Sequence, residues 1–197
     1  MALFRRHLKA RQAVGTSSPV SSPRQAAAVP TPPQSPVSDG LTAAIKLRCL
    51  EDEDSFETHE GTTVHVHGYS LIWGDRSLGR DEWPKLYPLH VFAFRVAGIT
   101  HNQQGANSRA FVAGKVILLE RERSNPYDRN AIRVMSQDRQ HQAGFVPKDV
   151  AALMAPLMDA ARTSRAAGAV LKTFSVEHHR HGIEVVAAAG RELDLVF

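Results

Sequence analysis

The short apolar segments in the second half of the chain constrain its fold more than any other sequence feature. Six of them follow one another after residue 89, and polar stretches such as residues 136–142 separate them. Segments of this length, bounded by turn-forming residues, are typical of β-strands. The predicted strands cover residues 91–99, 115–119, 131–135, 143–146, 169–176 and 182–188.

One helical pattern interrupts the predicted strands. Apolar side chains recur every three or four residues between Val150 and Ala161, which predicts one buried helical face. Pro147 stands at its start, where a missing N–H is harmless, whereas Pro156 inside it removes a hydrogen bond to the Ala152 carbonyl. We therefore expect a kink or two short helices. The expected fold class is mainly β (α+β), a small oligonucleotide-binding-like Greek-key barrel of about six strands with one or two short helices.

The first 40 residues differ from the rest in composition. Residues 1–38 carry five basic side chains and no acidic one, and residues 13–40 consist largely of serine, proline, alanine, glutamine and valine. Proline blocks both helices and sheet ladders, so we predict a disordered basic tail over residues 1–40. An acid-free, arginine-containing N-terminus is also typical of an organellar transit peptide, which is the alternative interpretation.

The next segment, residues 41–88, is acidic and has a strand-like pattern. Between residues 39 and 88 there are ten acidic and five basic side chains, a net charge of −5. Alternating apolar residues predict strands near 41–50 and 62–73, with residues 51–54 as an acidic turn. We expect a β-rich extension of uncertain fold that packs on the following domain or binds a protein partner. The predicted divisions of the chain are residues 1–40, 41–88, 89–190 and a C-terminal end at 191–197.

A motif between the second and third predicted strands carries the most specific signal. It is a loop of turn-forming residues that enters an apolar strand. It reads Ser124-Asn125-Pro126-Tyr127-Asp128-Arg129-Asn130-Ala131-Ile132-Arg133-Val134. Two flanking stretches keep a fixed order around it, Val96-Ala97-Gly98-Ile99 and Ala143-Gly144-Phe145-Val146-Pro147-Lys148. Together they resemble the signature of the HIRAN domain family over about residues 90–188.

This resemblance implies a function in nucleic-acid binding. In DNA-remodelling helicases of the replication-fork type, the HIRAN domain is an oligonucleotide-binding-like barrel that grips the free 3′ end of single-stranded DNA. The family's Asn-x-Tyr matches Asn125 and Tyr127 in this chain, and its lysine before the helix matches Lys148. Phe145 stands where the helicase domain has a polar residue. The chain also resembles the small stand-alone members of the family.

One departure from the family pattern follows Gly98. The helicase domain has Arg-Tyr-Tyr there and uses these residues to contact and stack the terminal nucleotides. This chain has Thr100, His101 and Asn102 instead. His101 keeps a stacking face and Asn102 a hydrogen-bonding group. General nucleic-acid binding is therefore expected more than tight recognition of a 3′ end.

The loop residues divide into two expected roles. Asn125 and Tyr127 offer a hydrogen-bonding amide and an aromatic face, and stacking of a base on an aromatic side chain is worth about 1–3 kcal/mol. The other residues are expected to shape the backbone, because they are turn formers or glycines. These structural residues are Pro126, Asp128, Asn130, Gly98 and Gly144.

Basic side chains near the motif complete the predicted site. Residues 89–197 carry fourteen basic and ten acidic side chains, a net charge of +4 that permits contact with phosphates. Strand alternation places Arg121 and Arg123 on one face. We expect one groove whose binding weakens steeply with salt. Its predicted lining is Arg121, Arg123, Arg129, Arg133 and Lys148.

Other groups of residues were weighed as catalytic or metal sites. The sequence has no Gly-x-x-x-x-Gly-Lys-Ser/Thr phosphate loop, which excludes ATP hydrolysis by that route. Glu120, Glu122 and Asp128 offer carboxylates for a metal-dependent nuclease, but solvated ion pairs with the neighbouring arginines explain them more simply. Histidine clusters with two-residue spacing are common by chance, so we predict no metal or other cofactor. The histidines considered were His65, His67, His178, His179 and His181.

We therefore predict a non-catalytic module that binds single-stranded DNA or DNA 3′ ends in replication, repair or phage DNA metabolism. The alternatives are a protein-interaction adaptor on a HIRAN scaffold and, ranked last, a metal-dependent nuclease. A protein partner is expected to bind residues 41–88, and no membrane partner is expected, since no apolar run reaches the length of a membrane span. The lone Cys49 fits a reducing compartment. The expected location is the cytoplasm or nucleoid, or an organelle if the basic N-terminus is a transit peptide.

Overall fold

The computed structural model describes residues 45–58, 60–191 and 193–196. The predicted disordered tail over residues 1–40, and the organellar signal within it, lie outside the described residues. The described part is mainly β, with one longer helix and several short helical segments. The predicted fold class is therefore confirmed.

The acidic segment forms a hairpin. β1 (Ile45–Glu57) and β2 (Thr63–Trp73) pair antiparallel along ten residue pairs, and β3 (Arg76–Ser77) folds back on the end of β2. The strand predicted in the second half of this segment is confirmed as β2. The turn predicted at residues 51–54 is wrong, because these residues lie within β1. Residues 53–57 are all exposed, so acidic side chains continue the strand without being buried.

All six strands predicted after residue 89 are present. They form one antiparallel circuit in the order β4–β9–β8–β5–β6–β7. Beyond the end of β4, Ala97 pairs with Phe145 of β7 through two backbone hydrogen bonds of 2.8 and 2.9 Å, so the circuit closes into a barrel-like sheet. The strands are β4 (Val91–Arg95), β5 (Val116–Arg121), β6 (Ile132–Ser136), β7 (Gln142–Phe145), β8 (Arg165–Val176) and β9 (His179–Ala188).

Short helical segments occur where the sequence predicted the end of a strand and where it predicted no regular structure. β4 ends at Arg95 rather than at residue 99, because Gly98 adopts a left-handed backbone with φ of 72° and starts a 3₁₀ segment. Glycine takes this conformation without a steric penalty. The short segments are 3₁₀ at Arg80–Leu89, Ile99–His101 and Arg109–Phe111, and α1 (Gln103–Ala106).

β8 joins the hairpin to the barrel. Its residues 165–169 pair with β5 and its residues 172–175 pair with β2, while β9 occupies its other edge. Gly68 permits this contact, since a Cβ at that position would lie 2.1 Å from the Leu171 carbonyl oxygen. β10 (Leu193–Val196), which the sequence did not predict, pairs parallel with β1. The extension and the barrel therefore share one sheet.

The helix α2 (Lys148–Ala160) packs one face against the core of the barrel. Val150, Met154 and Met158 are at most 3% exposed and pack among the buried side chains of the barrel strands. Burial of a side chain of this size contributes roughly 1.5–3 kcal/mol. We expected a kink or two short helices at Pro156; the helix runs without interruption through it, so the division into two helices is not found. Packing on both sides of the proline offsets the lost backbone hydrogen bond.

A second apolar cluster connects the hairpin to the barrel. Leu71 of β2 and Trp83 of the first 3₁₀ segment pack with Leu171 of β8. Cys49 belongs to the same cluster, and burial raises the pKa of its thiol to about 11, so the thiol stays protonated at neutral pH. Among the described residues, no helix has the length and apolar character needed to cross a membrane.

Gly144 provides a test of the barrel closure. It lies in β7 rather than in a turn, and a Cβ at Gly144 would come within 2.2 Å of the Ala97 carbonyl oxygen. Gly144→Ala should lower the free energy of unfolding by about 2–4 kcal/mol, because the clash of the added methyl group (about 1–3 kcal/mol) adds to the strain of a positive φ, here 153° (about 1 kcal/mol). Urea denaturation followed by circular dichroism measures this loss.

Gly61→Ala is the matched control. Gly61 also has a positive φ, of 76°, but an added Cβ there has no atom within 4 Å. The control should lose only about 1 kcal/mol from backbone strain. Equal losses in the two variants would contradict the role given to the contact between Gly144 and Ala97.

Candidate nucleic-acid interface

Cross-strand pairing brings the predicted site segments to one end of the barrel. Phe145, the last residue of β7, lies opposite Arg133, which closely follows the motif loop (residues 122–131) on β6. Phe145 also lies opposite Ala97, which immediately precedes Gly98. The motif loop, the segment after Gly98 and the start of α2 therefore leave the barrel at the same end. We call it the loop end.

Asn125 organises the motif loop through its side-chain amide. Its Oδ1 accepts hydrogen bonds from the backbone N–H groups of Tyr127 and Asp128 at 2.9 and 3.0 Å, and its Nδ2 donates to Glu122 at 2.6 Å. Asp128 Oδ1 in turn accepts from the backbone N–H of Asn130 at 2.8 Å. Side-chain bonds to nearby backbone fix a turn. The Asn125 amide is thus engaged within the loop, and its contact with a nucleotide stays a prediction.

Tyr127 projects from this fixed loop into solvent. Its side chain is 92% exposed, so the ring contributes almost nothing to the core and both of its faces are open to a ligand. Its backbone N–H is held by Asn125, and the neighbouring Pro126 restricts the backbone before it. An aromatic ring presented in this way suits the stacking of a nucleobase.

The segment after Gly98 presents polar groups at the loop end. Thr100 and His101 are exposed in the 3₁₀ segment. Asn102 is half-buried, and its Nδ2 donates to the Gly98 carbonyl at 2.9 Å, so this amide closes its own turn. Lys148 is exposed as the first residue of α2. One basic and three uncharged polar side chains therefore accompany the motif loop.

The structure divides the arginines that the sequence placed in one groove. The Arg121 side chain is only 4% exposed, and it donates to Asp159 at 3.1 Å and to the carbonyls of Ala131 and Arg129. Arg123 is exposed and reaches the same carboxylate at 2.7 Å. Hydrogen bonds from Arg121, and next from Arg123, hold the pKa of Asp159 below its usual value. This pair fastens the base of the loop to α2, and Arg121 is not accessible to a phosphate.

Arg133 belongs to an ion cluster on the outer face of the barrel. Its Nη2 lies 3.2 Å from the carboxylate of Glu120, a β5 residue that is only 4% exposed. Arg139 Nε and Arg165 Nε lie 2.7 and 2.8 Å from the same carboxylate. The sequence analysis missed Arg139 and Arg165, because only the strand register brings them to Glu120. Arg129 is exposed on the motif loop. The arginine cluster is Glu120, Arg133, Arg139 and Arg165.

The histidines proposed as candidate metal ligands are exposed and are not grouped with other ligands in a way that would hold a metal ion. Among the residues that the structure describes, no group of three or more His, Cys, Asp or Glu side chains is placed to hold a metal ion. His67 Nδ1 lies 2.9 Å from Glu53, and His179 Nδ1 lies 3.4 Å from Asn107 Nδ2. All five candidate histidines are exposed, namely His65, His67, His178, His179 and His181.

Each carboxylate considered for a nuclease has a structural partner. Glu120 is surrounded by the arginine cluster. Glu122 accepts from the Asn125 amide, and Asp128 accepts from the backbone N–H of Asn130. Ion pairing and turn formation therefore account for these three side chains.

Comparison with known proteins identifies the domain that carries this site. The family model of the HIRAN domain matches residues 89–186, about half of the 197-residue chain. The chain belongs to the HIRAN domain family. The matched range starts just before β4 and ends within β9, so it contains α2, five of the barrel strands in full and most of the sixth. Neither the curated proteins nor the solved structures give a significant match.

Membership of the HIRAN family supports a nucleic-acid-binding role, since the HIRAN domain is a DNA-binding module. The domain itself is a binding module and not a catalytic one. The loop end of this HIRAN domain contains the motif loop, so the most specific sequence signal and the exposed aromatic ring occupy the same place.

Asn125→Ala should destabilise the HIRAN domain. The substitution removes three hydrogen bonds and leaves two loop N–H groups without acceptors, so we expect a loss of about 1–3 kcal/mol in the free energy of unfolding. Tyr127→Ala is the control from the same loop, and its exposed ring should change stability by less than about 0.5 kcal/mol. Urea denaturation compares the two, and equal stability of Asn125→Ala and the wild type would refute the structural role.

Proposed function

We propose that this HIRAN domain binds single-stranded DNA at the loop end of its barrel and prefers strands with a free 3′ end. The observation that carries the proposal is the Tyr127 ring, which is 92% exposed on a loop fixed by its own hydrogen bonds. Because hydrogen bonds already fix the loop backbone that carries the ring, stacking of a base on it costs little backbone entropy. Such stacking contributes about 1–3 kcal/mol per base.

Positive charge at the loop end supports the same proposal. Lys148 and Arg129 are exposed there, and Arg123 keeps 60% of its side chain exposed beside Asp159. Contacts of these cations with phosphates position a strand without reading its sequence. Binding should therefore depend on salt and show little base preference.

The segment after Gly98 is where we propose that the strand terminus lies. His101 offers a smaller stacking face than a tyrosine, and Thr100 offers a hydroxyl group. Asn102 already donates to the Gly98 carbonyl, which leaves its Oδ1 to accept a hydrogen bond from a terminal hydroxyl. These groups support a modest preference for a free 3′ end.

We further propose that the protein acts in replication, repair or phage DNA metabolism, in the cytoplasm or at the nucleoid. A single-stranded end is an intermediate of all three processes. The organellar alternative depends on residues 1–38, which lie outside the described residues.

A protein-interaction adaptor is the second candidate, and the edge of the hairpin favours it. β1 pairs with β10 only along residues 45–48, so its edge over residues 49–57 has no partner strand among the described residues. Unpaired edges accept an added strand. Leu50 and Phe56 are 52% and 48% exposed on this strand, and its acidic side chains suit a basic peptide.

Tyr127→Ala should weaken DNA binding about 5- to 150-fold, because it removes a stacking contact of about 1–3 kcal/mol. Fluorescence anisotropy with a labelled single strand of about 12 nucleotides, a usual site size, measures the change. Tyr127→Phe should bind within about twofold of the wild type, because the ring remains. Phe56→Ala, which removes an exposed aromatic ring far from the loop end in the sheet order, should leave the affinity unchanged.

Two results would count against the proposal in different ways. Wild-type affinity of a correctly folded Tyr127→Ala variant would refute the stacking role of the ring. Absence of wild-type binding at low salt would refute DNA binding altogether, and binding to a basic peptide under the same conditions would then favour the adaptor.

Strands blocked at one end test the preference for a 3′ terminus. A 3′-phosphate should weaken binding several-fold, because it replaces the terminal hydroxyl with a bulky dianion. A 5′-phosphate on the same strand should have little effect. Equal binding of the two strands would restrict the function to general single-strand binding.

A further inference from the structure

The arginine cluster lies on a row of cross-strand neighbours that starts at the loop end. Phe145 on β7 lies opposite Arg133 on β6, and Arg133 lies opposite Glu120 on β5. Glu120 in turn lies opposite Arg165 on β8. Leu119, next to Glu120, is fully buried in the core, so alternation places the row on the outer face of the barrel. With neighbouring strands about 4.8 Å apart, the row is about 14 Å long.

The cluster holds more positive charge than its buried carboxylate requires. Three guanidinium groups surround Glu120, and a single one would neutralise it, so the cluster keeps a net charge of +2. The acidic neighbour in the β6–β7 turn, Asp138, forms no ion pair with these three arginines among the described residues. Asp138 accepts hydrogen bonds from the Ser136 hydroxyl and the Gln140 N–H instead. Crowded like charges are unfavourable unless an anion lies close to them.

The arginines keep donors for such an anion. The side chains of Arg133, Arg139 and Arg165 are 33%, 49% and 51% exposed. Arg133 Nε is buried without a hydrogen-bond partner among the described residues, so the exposed parts of the three guanidinium groups are what an anion can reach. Glu120 Oε1 accepts no well-directed hydrogen bond, although the Nε atoms of Arg139 and Arg165 lie within 2.8 Å of it. Those N–H groups are therefore not aimed at the carboxylate. A guanidinium group has five N–H donors in a planar fork that fits phosphate.

We propose that the arginine cluster is a phosphate-binding track for the single strand held at the loop end. This inference rests on the proposed function of that end. Phe145 is half-buried at the start of the row and connects the two sites. At the rise of about 3.4 Å per nucleotide of a strand stacked as in B-form DNA, the row spans about four nucleotides, and a more extended single strand crosses it with fewer. The track contacts the backbone and extends the footprint of the domain beyond the terminal nucleotides.

Binding of DNA strands of two lengths distinguishes contacts at the track from contacts at the loop end. The full chain is titrated with labelled single strands of about 3 and about 12 nucleotides that share the same 3′ sequence, over a series of salt concentrations. Arg165→Gln should weaken binding of the long strand several-fold at low salt. It should also reduce the slope of log affinity against log salt by about 0.7, and Arg139→Gln added to it by about 0.7 more. The short strand, which reaches only the loop end, should bind as it does to the wild type.

Arg76→Gln is the matched control. Arg76 on β3 is 63% exposed and pairs with an acidic side chain, Glu82, so the change in charge is the same but lies off the row. Urea midpoints of all variants check that the fold is intact. A salt slope for Arg165→Gln equal to that of Arg76→Gln, with normal wild-type binding, would overturn the track and leave the proposed function standing.

Two other outcomes would also reject the track. Equal losses on the short and the long strand would place these arginines at the loop end rather than on a separate path. Failure of the wild type to bind either strand would reject the track and the proposed function together.

Discussion

Two backbone hydrogen bonds between Ala97 and Phe145 hold together the segments that form the candidate site. They join β7 to the chain just beyond β4 and close the circuit of strands. Ala97 immediately precedes the Gly98 segment. Phe145 lies opposite Arg133, which follows the motif loop, and it stands three residues before the start of α2. Closing the sheet removes two unpaired edges, and it also fixes the relative positions of the loops. Stability and binding geometry thus depend on one short stretch of backbone.

Most of the barrel could be predicted from the sequence, because its strands are locally apolar and bounded by turn formers. The helical segments were harder. The segment Arg80–Leu89 contains Pro84 and Pro88, and it is held by the burial of Trp83 and Leu86, which no local pattern reveals. The acidic residues 51–54 predicted a turn because of their charge, but an exposed strand accommodates the same charges. Pairing of β10 with β1 joins residues too far apart in the chain for a sequence pattern to show.

The motif predicted the part of the site that is encoded locally. It identified an aromatic ring on a turn, and Tyr127 is exposed there. The charge pattern of the sequence did not predict which arginines are available to a phosphate. An arginine that pairs with a carboxylate in the fold is not available, and the sequence does not show that pairing. Arg121 is engaged by Asp159, which comes from α2, and Glu120 gathers Arg165 from β8. Strand register and helix docking, not sequence neighbourhood, decide which cations remain for phosphates.

The sharing of β8 between hairpin and barrel has a consequence for how the domain can be cut. A fragment that begins at residue 89 would keep every strand of the HIRAN match but would lose β2 from the edge formed by residues 172–175. Leu171, now 1% exposed, and Phe174, now 8% exposed, lie along the strand that would be uncovered. Bare apolar edges add strands from other molecules, which leads to aggregation. The acidic hairpin therefore also protects the barrel from self-association, because β2 covers that edge and the next strand, β1, carries exposed acidic side chains.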